Sequence, residues 1–161
     1  MNIEVISADY QNENHTRDLI DLLNAYALDP MGGGEPLSQY TKENLIEQIR
    51  TNPIVFSVLC YVEGKPAGLV NCIEGFSTFA ARPLVNIHDV VVLKEFRGLG
   101  ISTKMLEKVE EIAVDKGACK LTMEVLEGNK VAQSAYRKVG FSGYELDPEQ
   151  GAALFWQKKL A

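Results

Sequence analysis

An apolar run over 84–93 gives way to Arg97-Gly98-Leu99-Gly100-Ile101-Ser102-Thr103, and Ile101, Met105, Leu106, Val109, Ile112 and Ala113 then recur at helical spacing up to Gly117. Strand, glycine loop and helix in direct succession constrain the fold more than any other part of the chain. Glycines at such a junction let several backbone N–H groups point outward together, and the helix N-terminus adds partial positive charge. An anionic phosphate group is the natural occupant of that concavity, with Arg97 supplying a charge-assisted contact at its edge. A tight turn that needs glycine for geometry alone accounts for the same spacing. Two phosphate-binding templates fail: a Walker loop needs Gly-Lys-Ser/Thr, and a dinucleotide fingerprint needs a third glycine where Thr103 stands.

The rest of the chain alternates between the same two periods. A short strand over 2–7 precedes a helix carrying Leu19, Ile20, Leu22, Leu23 and Tyr26, which Asp29-Pro30 ends near Leu28. Thr41 can cap a second helix bearing Leu45, Ile46 and Ile49, closed by Asn52-Pro53. The runs 54–62 and 67–74 flank Glu63-Gly64-Lys65-Pro66 and read as a hairpin. Beyond the glycine junction, a strand over 119–126 leads to a short helix capped by Asn129 and running through Lys138, with Gly140 at its C-terminal left-handed position. Two closing strands, over 141–146 and 152–160, flank a turn at Asp147-Pro148-Glu149-Gln150-Gly151. The expected order is β-α-α-β-β-β-α-β-α-β-β, an α+β protein with a mixed central sheet flanked by helices. No repeat or linker divides it, and Gly32-Gly33-Gly34 is too short to separate domains, so residues 1–161 read as one domain.

Composition narrows the function classes. With 161 residues, 46% of them hydrophobic, the chain can bury roughly two-thirds of its unfolded surface and needs neither disulfides nor a structural metal. A formal charge of −6 argues against a broad basic face for nucleic acid and suits a cationic or neutral partner, although solubility alone explains it as well. Cys60, Cys72 and Cys119 are odd in number and form no CxxC pair, so buried thiols are expected rather than disulfides or a zinc cage. The start lacks a basic segment followed by an apolar run, and no 18-residue apolar stretch occurs; no membrane partner and a cytoplasmic location are expected.

The segment from Val90 to Ser102 resembles the acetyl-coenzyme A signature of the GCN5-related N-acetyltransferase (GNAT) superfamily, R/Q-x-x-G-x-G/A. Downstream, N-K-V-A-Q-S-A-Y-R-K-V-G-F, running from Asn129 to Phe141, is similar to the second hallmark of that superfamily, and the two stand at their usual separation. Ser102 departs from the usual glycine or alanine, which implies slightly altered coenzyme contacts. The resemblance implies that backbone groups of Val90, Val91 and Val92 pair with the pantetheine arm like an added strand. It implies further that Arg97, Gly98, Leu99, Gly100, Ile101, Ser102 and Thr103 hold the pyrophosphate of acetyl-CoA, with Asn129 on the pantetheine side. Asn129 also reads as a plain N-cap.

Acyl transfer to an amine needs a neutral nucleophile and a proton for the departing thiolate. The resemblance makes Tyr136 the general acid; without it, Val131, Ala132, Ala135 and Val139 on the same helix would make Tyr136 a core aromatic. His88 and Asp89 precede the pantetheine strand, where the superfamily carries a carboxylate or histidine. In a regular strand only one of them faces the substrate, and a bulge leaves the choice open. Glu124 is a third candidate base. The segment 76–83 is similar to the strand-three approach of the diamine and polyamine branch and, with the loop 29–37, would shape an acceptor pocket in which Asp29, Glu35 and Asp89 attract an amine. The function so implied is an acetyl-CoA-dependent N-acetyltransferase acting by direct attack of a primary amine, most naturally a small molecule. Acetylation of a protein lysine or N-terminal amine, and a coenzyme-binding sensor without turnover, are the alternatives. A homodimer, with or without exchange of the final strand, stays open.

Overall fold

The computed structural model describes residues 1–144 and 147–160. Five strands, β1 (Ile3–Ser7), β2 (Val55–Val62), β3 (Lys65–Ser77), β4 (Arg82–Val92) and β5 (Leu121–Met123), form one sheet in sequence order. The first four pair antiparallel and β5 joins β4 in parallel, the mixed and mostly antiparallel sheet expected from the sequence. Four helices cover it: α1 (Glu13–Leu28), α2 (Gln39–Arg50), α3 (Ile101–Asp115) and α4 (Lys130–Lys138).

Strand alternation sorts the apolar side chains into two layers. Val58, Cys60, Val70, Cys72, Val85 and Ile87 face α3, meeting Ile101, Met105 and Val109. Leu59, Leu69 and Val91 face the other way, onto Leu19 and Leu22 of α1, with α2 closing that side through Leu45, Ile46 and Ile49. Both layers are fully buried at their centres, so the sheet is a rigid plate on which the site is mounted.

Local chemistry sets the helix ends. Asn12 caps α1 by accepting from the N–H groups of Asn14 and His15, and the helix stops at Leu28, as Asp29-Pro30 requires. For α2 the cap is Ser38 rather than the expected Thr41: the Ser38 hydroxyl accepts the Thr41 N–H, so the helix begins three residues earlier. Asn129 caps α4 through the Ala132 N–H, as expected.

The second half of the chain departs further from expectation. Strand β5 spans only Leu121–Met123 instead of 119–126: its ladder with β4 runs over Val85, Asn86 and Ile87 and ends at the bulge, while Cys119 and Lys120 add single backbone bonds to Pro83 and Val85 ahead of it. Neither closing strand is present among the described residues, and residues 145–146 of the first lie outside them. A strand needs a hydrogen-bonded partner, and among the described residues one backbone bond, from the Ala153 N–H to the Tyr144 carbonyl, joins the two segments. Leu154, Phe155, Trp156 and Leu160 consequently stand exposed. The turn at 147–151 does form, with Gly151 at φ +80°. Cys60 and Cys72 are buried free thiols, whereas Cys119, at the sheet margin, is half-buried. No helix among the described residues is long and apolar enough to cross a membrane.

Candidate active site

The site grows from an irregularity in β4. On β3, the neighbours Asn71 and Cys72 pair with Asp89 and Ile87, so His88 is an extra residue bulging out of the ladder. Parity inverts across it: Val85 and Ile87 face α3, whereas Val91 faces α1. Without the bulge Asp89 would share the α3 face with Ile87; with it, Asp89 shares the α1 face with Asn71, whose Nδ2–H donates to Asp89 Oδ2 at 3.1 Å. His88 is exposed and Asp89 half-buried.

Past the bulge β4 and β5 separate, since their pairing ends at Ile87↔Met123. The β4 margin at Val90, Val91 and Val92 therefore has no strand partner on that side among the described residues. The cleft so opened leads to the start of α3. There Gly98 and Gly100 adopt φ +84° and +74°, a region costly for residues with a Cβ. Gly100 is the N-cap of α3, no side chain caps that end, and no acidic residue occupies its first turn. Free N–H groups and the positive end of the helix dipole thus face one concavity, while the Arg97 Nε–H donates to the Val92 carbonyl at 3.3 Å. These features fit a phosphate-bearing coenzyme whose arm runs along β4. Leu99 is half-buried, Ile101 is buried, and Ser102 and Thr103 are half-buried in the first helical turn.

Tyr136 of α4 lies edge-on to Phe141, ring centroids 6.3 Å apart, and packs with Val139 against the α3-side core, whereas Val131 on the same helix is exposed. Burial pushes its phenol above the ordinary range, and Tyr26 of α1 adds to the rise. Burial likewise raises Tyr26, followed by the charges of Asp89 and Asp29. Tyr26 thus stands electrostatically between Asp89 and Tyr136, although the sequence gives the three to different elements. Asp29 is more than a solvated charge: its Oδ1 accepts the Met31 N–H at 2.9 Å and its Oδ2 stands 3.5 Å from Arg97, joining the end of α1 to the glycine loop.

Similarity to known proteins agrees with this geometry. The chain matches the sequence profile of the Acetyltransferase (GNAT) family over residues 16–141. It belongs to that family. Among curated relatives, the thialysine N-epsilon-acetyltransferase of Bos taurus is 37% identical over 84 residues, 48% of each protein, so the chain spans about half the length of that relative. The glucosamine 6-phosphate N-acetyltransferase of Trypanosoma brucei brucei is 30% identical over 112 residues, 68% of this chain and 74% of the relative. A solved aminoglycoside N-acetyltransferase in complex with CoA superposes with a TM-score of 0.75 over 99% of this GNAT chain and 96% of its own, at 17% identity, which establishes a common fold.

The other candidates are more widely spread. Glu124 is exposed just past β5, one residue beyond the Ile87↔Met123 pair that ends at the bulge, and Glu35 is exposed on the α1–α2 connection. The segment 76–83 forms the far tip of the β3–β4 hairpin, with Phe79 97% exposed. Asp29, by contrast, reaches Arg97 beyond the other end of β4. The length of β4 keeps the two segments apart, so they do not build one pocket as expected. Sequence reasoning missed the site roles of Tyr26 and Asn71. Asn71 carries a legible signal, as the lone amide within the apolar run Leu69-Val70-Asn71-Cys72-Ile73; Tyr26 carries none, because it sits in the apolar register of its helix.

Proposed function

We propose that the chain is an N-acetyltransferase that binds acetyl-CoA in the cleft between β4 and β5 and passes its acetyl group to a primary amine on a small molecule in the cytoplasm. The observation that supports this best is the continuity of an unpartnered β4 margin with an uncapped helix start flanked by glycines at positive φ. Backbone groups of residues 90–92 would take the pantetheine arm, residues 97–103 the pyrophosphate, and Asn129 the pantetheine side. The bound coenzyme supplies an activated acetyl thioester.

The protein's own residues handle the protons. Asp89 removes one from the acceptor ammonium: an N–H bond breaks, an O–H bond forms on the carboxylate, and the freed lone pair makes the nitrogen nucleophilic. Tyr136, kept protonated by burial, gives its phenolic proton to the departing thiolate. Attack leaves the nitrogen with a second proton to lose before the amide is complete; that proton passes through solvent to the phenolate, Asp89 gives its own to bulk water, and one proton is released per ammonium acetylated. Asp89 is preferred to His88 because it is half-buried, hydrogen-bonded and on the face shared with Tyr26, whereas His88 is exposed on the bulge. Small amines are favoured by the acetylated compounds that the relatives' names print.

Thermal shift tests the coenzyme site. At 100 times its dissociation constant acetyl-CoA adds about 2.7 kcal/mol of stability, and Gly100→Glu, which sets bulk and negative charge at the helix start, should abolish the shift. An unchanged affinity in folded Gly100→Glu would dismiss the cradle. Release of free thiol against a panel of diamines, amino sugars and lysine-bearing peptides then identifies the acceptor class.

A further inference from the structure

Three side chains that the proposed reaction does not use lie end to end on the α1 face of the sheet. Tyr10, in the connection between β1 and α1, places its phenol oxygen 2.8 Å from Ser57 Oγ. The Ser57 hydroxyl is 2.6 Å from Asn71 Oδ1, and Asn71 Nδ2 is 3.1 Å from Asp89 Oδ2. Ser57 is only 1% exposed, one of two buried polar or charged residues among those described. Burying a hydroxyl in the middle of a sheet is costly unless its bonds are made, so this serine has a role other than packing.

The direction of the chain follows from valence. An amide oxygen only accepts, so the single hydroxyl proton of Ser57 points to Asn71. Ser57 Oγ then accepts, and the proton in the first bond belongs to Tyr10. The amide Nδ2 only donates, so the last bond points to the carboxylate. All three donors are aligned toward Asp89, an arrangement in which each bond polarises the next.

We propose that Tyr10, Ser57 and Asn71 form a one-way hydrogen-bond chain that holds Asp89 as a carboxylate with Oδ2 fixed, leaving Oδ1 to take the proton of the acceptor amine. The three are positioning residues, and the second half of the proposal rests on Asp89 being the base. No ion pair reaches Asp89 among the described residues. The groups around it are the Tyr26 phenol from α1, the Cys72 thiol and Asn71 amide from β3, and its neighbour His88; Tyr26 in turn faces Asp29 and Tyr136, and Asp29 pairs with Arg97. A half-buried carboxylate with no cation beside it depends on its hydrogen-bond donors to stay ionised. Asp89 Oδ1 accepts no hydrogen bond among the described residues, which leaves it free for the acceptor.

The test is a titration of the Asp89 carboxyl carbon by NMR in protein carrying ¹³C-aspartate, assigned with Asp89→Asn and needing no turnover. Asn71→Leu removes the direct donor and should raise the midpoint by about one to two pH units. Ser57→Ala should raise it by less, Tyr10→Phe by least, and Ser57→Thr, which keeps a hydroxyl, should restore the wild-type value. Midpoints unchanged in Asn71→Leu and Ser57→Ala overturn the chain; should Asn71→Leu fail to fold, Ser57→Ala and Tyr10→Phe decide by the same criterion. The acidic limb of kcat/KM separates the two halves. It should move with the NMR midpoint, and a midpoint that moves beneath a stationary limb keeps the anchor but removes Asp89 as the base.

Discussion

At the scale of single residues, the proposed chemistry turns on two side-chain oxygens in different surroundings. Asp89 is held on one oxygen by Asn71, whereas the Tyr136 phenol is pushed upward by burial and so remains a proton donor throughout the neutral range. Tyr136→Phe removes the hydroxyl and keeps the ring on Phe141. Its coenzyme affinity should stay near wild type while single-turnover acetylation slows by roughly 10²- to 10⁴-fold, the usual contribution of a positioned acid. A change confined to at most about 1.5 kcal/mol of stability, with intact single-turnover rates, would leave Tyr136 as packing alone.

Among the elements, the end of α1 has the narrowest tolerance. A Cβ on Gly32 would lie 1.9 Å from the Tyr26 carbonyl oxygen, so the last turn of α1 and the loop after it fit only because residue 32 has no side chain. Gly32→Ala should cost about 1–3 kcal/mol in urea unfolding, whereas Gly128→Ala, with no neighbour within 4 Å, should stay within about 0.5 kcal/mol. The helices and the first four strands were legible because their ends carry local chemistry: Asn12, Asn129 and the Asp29-Pro30 stop all act within a few residues. The cap of α2 was misplaced from Ser38 to Thr41 since both are hydroxyl residues three apart and sequence alone does not say which accepts. Strand β5 and the closing strands are shorter or absent among the described residues because an apolar run becomes a strand only where tertiary structure brings a pairing edge alongside it. The motif residues of the cleft and the chance of a bulge beside His88 and Asp89 could be named from sequence, but the face to which the bulge turns Asp89 depends on the pairing with β3 and could not.

For the whole molecule, the buried thiols and phenols make alkaline conditions the weak side. Burial, with Asp89 second, pushes the Cys72 thiol up to about 12 from its ordinary 9.0, and burial also raises Tyr10, Tyr26, Cys60 and Tyr136. Since the folded state holds these protons more tightly than the unfolded chain, their stabilisation is complete below about pH 9 and is lost as the pH climbs toward 12. Urea midpoints should therefore fall steeply above pH 9. Cys72→Ala should flatten that fall, each pH unit in the window carrying up to about 1.4 kcal/mol per group. A fall equally steep in Cys72→Ala would remove the thiol from the account. The bulge at His88 bears on how such a molecule can change over generations. Losing one residue from an inner strand ordinarily inverts every side chain beyond the loss and ruins the core. Here the partners of Ile87 and Asp89 are already adjacent on β3, so excising His88 would close the ladder and leave Val91 opposite Leu69, as it stands now. The variant lacking His88 should fold with a cooperative melt, and an unfolded product would refute this. At His88 an inner strand thus offers a position where insertion and deletion, normally confined to loops, can remodel chemistry without dismantling the scaffold.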